Sequence, residues 1–338
     1  MVYQDCQKLN GPVFPAYSKQ SRRLRAPERA AWVYPGVRLR CIFWGCFTLT
    51  AFFLSCVSSP AASSPTPERF YGDRRDFTLM AEGADLYINA EVQAARPILD
   101  NLLLGGMAGA EVKDFLDMSR VLTAAVFEGR DSGGGQRFYA AASGRFPASR
   151  GGLFFSASKD WEKKTSLSGI PYWHSDKSQL AVFLDPRNAY LSNGDPFAPA
   201  PGAQPPEALE TLRKGAVLSG WMNDPAPAIG RIIAAFGVPA AIPARRLIFA
   251  VYPEGGNYTA VLRFETAAAA QANALVRLFT MAKAFAAMAD FSQLRDMEAL
   301  ARAFFAGTPR AEDNALILKT AVVSGRDLAL LFNTISVY

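Results

Sequence analysis

Hydrophobic and polar residues follow the same order twice along the chain after residue 80. Each copy opens with a strand-like and then a helix-like segment. Two strand-like segments follow, rich in aromatic and β-branched residues and bounded by glycine or asparagine turns, and a helix and a closing strand complete the copy. The first copy comprises Gly83–Ala90, Pro97–Leu104, Leu122–Gly129, Gln136–Phe146, Ser149–Lys164 and Ser178–Leu184. The second comprises Gly215–Met222, Pro227–Phe236, Leu247–Gly255, Tyr258–Phe264, Ala267–Ala289 and Ala315–Val323.

This order of strand, helix, two strands, helix and strand is typical of the split βαβ, or ferredoxin-like, unit. It predicts an α+β protein with α/β/α-like layers. The protein would contain either two ferredoxin-like units or one continuous antiparallel-rich sheet covered by amphipathic helices. Five prolines, at positions 196, 199, 201, 205 and 206, lie between the two copies. We therefore predict repeat units at 80–192 and 213–338, joined by a Pro-rich linker at 193–212.

The excess of positive charge lies entirely ahead of residue 56. The chain of 338 residues has 36 basic and 30 acidic residues and a formal net charge of +6. Eight of the basic and two of the acidic residues fall within residues 1–55, so the remainder carries 28 of each sign. A neutral remainder offers no basic face, and we therefore expect no nucleic-acid partner.

These basic residues precede an uncharged apolar run, which is the pattern of an export signal. The segment Val37–Arg40 is followed by a run that ends at Ser55 and is shorter than the ~20 residues that a membrane-spanning helix needs. Cys56 comes next, ahead of a stretch rich in serine, alanine and proline. We predict a signal region at 1–55, with Cys56 as the lipidated first residue of the mature chain. An uncleaved anchor, or an ordinary signal peptide with a chance cysteine, is the alternative.

Two assignments follow for the segments around this signal. Residues 56–79 are predicted to form the lipidated cysteine and a flexible tether. Residues 1–36 are long, polar and punctuated by proline, so they are interpreted as an extension ahead of a true translation start near Val37. A disordered cytoplasmic extension is the alternative for that stretch.

Few residues with catalytic or metal-binding chemistry are present after residue 56. All four cysteines lie within the first 56 residues, and the single histidine is His174, so a disulfide or a zinc site of the His/Cys type is excluded from the remainder. The segment Tyr172–Asp176 is predicted to be a surface hairpin or aromatic rim. The Gly-rich Asp131–Gln136 lacks the Lys-Ser/Thr of a phosphate loop and is predicted to be a turn. We expect a non-enzymatic protein with no catalytic residues, no metal and no cofactor.

Several helical segments carry unusually little charge. Between Thr266 and Ala289 the only charged residues are Arg277 and Lys283, and large apolar residues recur at three- and four-residue spacing. Such helices are the core of a soluble domain, lie in a membrane interface, or line a cavity for a lipid-like ligand. A membrane-spanning role is disfavoured because each central basic residue would cost about 2.5–3.5 kcal/mol.

We predict that large apolar residues of the helical segments with little charge contact lipid. They are Ile229, Ile232, Ile233, Phe236, Leu275, Phe279, Phe285, Met288, Phe304 and Phe305. The expected partners are membrane lipids. A hydrophobic ligand carried across the periplasm is the alternative, and the oligomeric state is left open.

A lipobox-like cysteine, a remainder without disulfides and Ala/Phe/Met-rich amphipathic helices together resemble the treponemal family of outer-membrane-associated lipoproteins. The resemblance covers Pro67 to Tyr338 in character. It implies a lipid-anchored protein in the periplasmic leaflet of the outer membrane whose helices insert into the bilayer and alter its permeability. It further implies a closed soluble form and an open membrane-integrated form. The family pattern does not require the N-terminal extension.

Overall fold

The computed structural model describes residues 77, 80–104, 110–127, 137–197, 202–227, 229–230, 242–288 and 305–336. The predicted signal region, Cys56 and the extension at 1–36 lie outside these residues. The first predicted repeat contributes seven strands and three helices. They are β1 (Leu86–Glu91), α1 (Arg96–Leu104), α2 (Ala110–Met118), β2 (Ser119–Phe127), β3 (Arg137–Gly144), α3 (Ala148–Ala157), β4 (Glu162–Thr165), β5 (Pro171–Ser175), β6 (Leu180–Leu184) and β7 (Asn188–Ser192).

The described residues of the second predicted repeat form five strands and two longer helices, and a short helix precedes them. These elements are α4 (Glu207–Leu212), β8 (Leu218–Asn223), β9 (Ala244–Glu254), β10 (Asn257–Thr266), α5 (Ala269–Met288), β11 (Arg310–Glu312), β12 (Ala315–Lys319) and α6 (Gly325–Ser336). The helix predicted at 267–289 is confirmed. The helix predicted within 149–164 runs from Ala148 to Ala157, and the edge strand β4 begins at Glu162.

All twelve of these strands form one antiparallel sheet in the order β11-β12-β10-β9-β8-β1-β2-β3-β7-β6-β5-β4. Of the two architectures considered, the continuous antiparallel-rich sheet covered by helices is therefore confirmed. The first strands of the two repeats, β1 and β8, pair directly, with Ile88 opposite Gly220. This pairing joins the halves, which run outward as β1-β2-β3-β7 and β8-β9-β10-β12.

The seam between the halves requires glycine at position 220. A Cβ atom there would lie 2.0 Å from the carbonyl oxygen of Tyr87 on the neighbouring strand and 2.8 Å from the ring of Phe249. Atoms at these distances overlap, so a larger residue would separate β8 from β1. The close approach of the two backbones explains why a sheet-forming segment contains this glycine.

The main hydrophobic core lies between the first face of the sheet and the long helices. Alternate residues of β10, namely Tyr258, Ala260, Leu262 and Phe264, point into it. Helix α5 adds Leu275 and Phe279 to the same cluster. Alternation along a strand is what a half-covered sheet requires, because successive side chains point to opposite faces.

The second face has smaller apolar clusters, and one row of directly opposed residues crosses it through all twelve strands. Directly opposed residues share a face, so this row describes the second face from edge to edge. It runs Arg310, Ile317, Arg263, Ile248, Trp221, Tyr87, Ala125, Tyr139, Ser192, Ala181, His174, Glu162. The second face is therefore cationic at one edge, aromatic in its centre and mixed in charge at the other edge.

A candidate membrane-contacting surface

Helix α5 lies across the second half of the sheet and buries a narrow apolar stripe. Ala272, Leu275, Phe279 and Ala282 are each at most 1% exposed. Their spacing of three and four residues places them on one side of a helix. The ring of Phe279 lies 5.3 Å from that of Phe264 in β10 and 6.4 Å from that of Phe305. The stripe that the sequence assigned to lipid contact is packed against the sheet in this conformation.

The outward side of α5 carries almost no charge. Asn273, Ala274, Arg277, Thr280 and Met281 are all exposed, and the Met281 side chain is 52% exposed. Arg277 is the only charged residue among them. A water-facing helix surface ordinarily carries several charges, so this composition suits an interface between water and lipid better than bulk water.

One contact fixes the far end of α5 to the chain that follows it. The Lys283 ammonium group donates to the carbonyl oxygens of Ala306 and Gly307, at 3.2 and 3.3 Å. These are carbonyls at the end of a helical turn, where a cation is favourably placed. The contact explains why a lysine interrupts an otherwise uncharged segment.

The structure locates only some of the residues predicted to contact lipid. Ile229, Leu275, Phe279 and Phe305 are buried, at 4% exposure or less. Phe285 and Met288 belong to α5, although their side chains are outside the described set, while Ile232, Ile233, Phe236, Phe304 and Cys56 lie outside the described residues altogether. Contact of these residues with lipid stays a prediction.

Two exposed leucines were not singled out from the sequence. Leu153 on α3 is 71% exposed, and Leu167 in the turn between β4 and β5 is 96% exposed. Leu153 lies within the predicted helical segment Ser149–Lys164 and Leu167 lies outside every predicted element, and only the folded chain shows which leucines lack a covering element. In the described part of the chain, no helix combines the length and hydropathy of a membrane span.

The only histidine lies in a small charged cluster at the edge of the sheet, on β5 of the β4–β5 hairpin. The Lys164 ammonium group lies 3.0 Å from Nδ1 of His174, and a carboxylate oxygen of Asp176 lies 3.1 Å from the same nitrogen. Burial lowers the pKa of His174, and the charge of Lys164 lowers it further, against the opposing effects of Asp176 and Glu162. Among the described residues, no group of three acidic, histidine or cysteine side chains is arranged to hold a metal ion.

The sequence of the first repeat matches a known protein family. Residues 72–196 fit the family model of the outer membrane-associated lipoprotein TP0453. These residues belong to the TP0453 family. The resemblance noted in the sequence is thereby confirmed for this part of the chain. No curated protein sequence matches the chain.

Solved structures of TP0453 share the fold over most of both chains. Crystal form I superposes with a TM-score of 0.52 at 15% identity, covering 77% of this chain and 96% of that one. Crystal form III has a TM-score of 0.52 at 15% identity, covering 76% and 97%. Crystal form IV has a TM-score of 0.51 at 16% identity, covering 76% and 95%. The likeness extends beyond residues 72–196 into the second half of the sheet.

Proposed function

We propose that the protein is anchored to the periplasmic leaflet of the outer membrane by lipid on Cys56. Its amphipathic helices, α5 above all, then associate with or insert into the bilayer. Increased membrane permeability is the expected consequence of insertion. The observation that carries the proposal is the outward side of α5, on which Met281 is half exposed and Arg277 is the only charge.

Shallow contact and full insertion make different demands on α5. Shallow contact uses the outward side and leaves the helix packed on the sheet. Insertion of Leu275 and Phe279 requires α5 to leave the sheet and the contacts of Lys283 with Ala306 and Gly307 to break. Each buried Leu or Phe contributes roughly 1.5–3 kcal/mol in the core, and a comparable amount is regained in lipid. The exchange is therefore energetically close to balanced.

The test uses the chain from residue 56 with Cys56→Ser, which contains every described residue and no acyl chain. Met281→Asp adds a charge to the outward side of α5 at a half-exposed position, so the fold is preserved. We expect this variant to bind neutral phosphatidylcholine vesicles about tenfold more weakly in co-sedimentation, a change of about 1.4 kcal/mol. Asn273→Asp, which adds the same charge at the polar margin of the same helix, is the matched control and should change binding by less than about twofold.

Two further measurements separate insertion from surface contact. No cysteine follows Cys56, so Met281→Cys in the Cys56→Ser chain can carry a single environment-sensitive fluorophore. We expect a blue shift and protection from a water-soluble quencher with vesicles, and leakage of a trapped dye if α5 inserts. No binding by the unacylated chain, or equal binding by Met281→Asp and the parent chain, would contradict the proposal.

A further inference from the structure

The N-terminal tether enters the folded body at the centre of the second face of the sheet. Phe77 is 1% exposed, and its ring lies 4.7 Å from Trp221 and 6.5 Å from Tyr87. Tyr87 and Trp221 are directly opposed on β1 and β8, in the row that crosses the second face. The chain therefore joins the body on the side opposite to α5.

The length of chain between Cys56 and Phe77 limits how far the second face lies from a lipid anchor. Twenty residues separate the two. A chain of that length cannot span more than about 70 Å. If Cys56 carries the lipid, as proposed above, a tether of this length holds the second face within reach of the bilayer.

That face carries a cationic strip, defined here as Arg246, Arg263, Arg310 and Lys319. Arg263 and Arg310 are both directly opposite Ile317, which lies between them on β12. Ile317 is only 8% exposed although it occupies an outer strand of this face. Arginine stems commonly cover an apolar neighbour while the guanidinium group stays in water, and the register places both arginines next to Ile317.

Two carboxylates lie within the strip and leave it with a net positive charge of two. Glu265 is shared, since an Arg246 nitrogen and an Arg263 nitrogen each lie 3.5 Å from its oxygens. Glu312 lies 2.8 Å from Arg310, whose side chain is 68% exposed. Lys319 is exposed and forms no ion pair with another described residue. A guanidinium group has five donors, so partial pairing leaves donors for an external anion.

We propose that this cationic strip binds the phosphate groups of anionic phospholipids and is a second membrane contact, separate from α5. The inference rests on lipid anchoring at Cys56, because the tether is what brings this face to the bilayer. Cations on four neighbouring strands of one sheet face can contact several headgroups of a bilayer surface at once. Unlike insertion of α5, this contact needs no rearrangement of the fold.

The test compares two double variants in the chain from residue 56 with Cys56→Ser, from which the basic residues of the first 55 positions are missing. The first is Arg310→Gln with Lys319→Gln, which removes two exposed cations of the strip. The second, Lys159→Gln with Lys163→Gln, removes two exposed cations near the opposite edge of the sheet. Both variants change the net charge equally, and thermal unfolding checks that each retains the fold.

Binding is measured on vesicles of 70% phosphatidylcholine and 30% phosphatidylglycerol, and on pure phosphatidylcholine. A cation near an anionic surface contributes roughly a fivefold factor in affinity, so the strip variant should bind the anionic vesicles at least about tenfold more weakly. The opposite-edge variant should bind within about twofold of the parent chain. Parent binding should weaken as salt rises from 50 to 300 mM, because salt screens surface charges.

The outcomes distinguish a failure of the cationic-strip proposal from a failure of the α5 proposal. Equal loss in both double variants, or equal binding to neutral and anionic vesicles, would overturn the cationic strip. Met281→Asp should weaken the salt-insensitive binding to neutral vesicles while the additional affinity for anionic vesicles remains. If the parent chain shows only salt-sensitive binding to anionic vesicles, the proposal for α5 fails and the one for the strip stands. If the parent chain shows only salt-insensitive binding, the proposal for the strip fails and the one for α5 stands.

Discussion

The two halves of the second sheet face share one architecture but carry different side chains. In the first half, strands β5, β6 and β7 present Tyr172, Phe183 and Tyr190, and Phe197 packs over them. In the second half, β10, β11 and β12 present Arg263, Arg310 and Lys319. A single row of opposed residues crosses both halves, so strand pairing does not distinguish them.

The two halves of this face differ in whether the chain covers their side chains. The ring of Phe197, from the segment after β7, lies 5.2 Å from that of Phe183 and 5.7 Å from that of Tyr190, so the chain covers its own aromatic half. At the other edge, Arg263 and Arg310 lie on either side of Ile317, which is 8% exposed. The Arg310 side chain itself is 68% exposed. The chain therefore covers the outer part of one half of this face itself, while the outer strands of the other half carry the exposed side chains of Arg310 and Lys319.

The largest expected change in the free energy of unfolding follows from removing an aromatic ring in the covered half of this face. Phe183 is 6% exposed and its ring contacts those of Tyr190 and Phe197. We expect Phe183→Ala to lower the free energy of unfolding by about 3–5 kcal/mol, measured by urea denaturation, because it removes buried area and leaves a cavity. Val261→Ala, on the same face beside Lys319, should lower it by no more than about 1 kcal/mol. Similar losses in the two variants would contradict the assigned contrast between the halves.

The seam between the halves should be the next most sensitive position. Gly220→Ala places a methyl group 2.0 Å from the Tyr87 carbonyl oxygen, a backbone atom that cannot rotate away. We expect a loss of about 1–3 kcal/mol or more in the free energy of unfolding, measured by urea denaturation. Gly152→Ala on α3 is the control, since no atom lies within 4 Å of its added Cβ, and alanine favours a helix by about 0.5–1 kcal/mol. An unchanged stability in Gly220→Ala would show that the halves are not tightly joined there.

The smallest expected effect is a dependence of stability on pH at the outer edge of the aromatic half. The charged groups facing His174 are Lys164, Asp176 and Glu162. Because the pKa of His174 is lowered in the folded state, the unfolded chain takes up the proton more readily. The free energy of unfolding should therefore decrease as the pH falls below about 6.5, the ordinary histidine value.

Urea denaturation of the parent chain and His174→Gln between pH 5 and pH 8 measures this contribution. The parent should lose more stability than the variant over the acidic part of that range. Other groups titrate in both proteins, so the difference between them isolates His174. A difference of the opposite sign would mean that Asp176 and Glu162 outweigh burial and Lys164.

Periodicity in the sequence was a good guide to the elements of each repeat but a poor one to the sheet edges. The apolar pattern located α5 and the hairpin of β9 and β10. It missed β4, β7 and β11, because strands of three to five residues carry little periodic information, and β5 was expected only as part of a surface hairpin or aromatic rim. The sequence of Glu162–Thr165 is polar and would also suit the end of a helix. The segment is a strand because it pairs with β5.

The candidate surfaces were predictable to different degrees. The low charge of α5 is visible in the sequence, since Arg277 and Lys283 are the only charges over a long apolar stretch. The packing of Leu275 and Phe279 against the sheet was not predictable, because an apolar stripe has the same spacing whether it meets a sheet or lipid. The cationic strip was not predictable either, since Arg246, Arg263, Arg310 and Lys319 are spread over more than 70 positions, and the chain after residue 55 has no net charge.

By itself, the sequence determined the local properties of the chain: the order of elements in each repeat, the uncharged helices, and the placement of the basic excess ahead of Cys56. These properties depend on neighbours a few positions apart. Only the tertiary structure decided that the repeats form one sheet, that the tether enters on the face opposite to α5, and that four distant cations lie together. Those features depend on pairing between distant strands, and the close contact of β1 with β8 at Gly220 is what joins the halves.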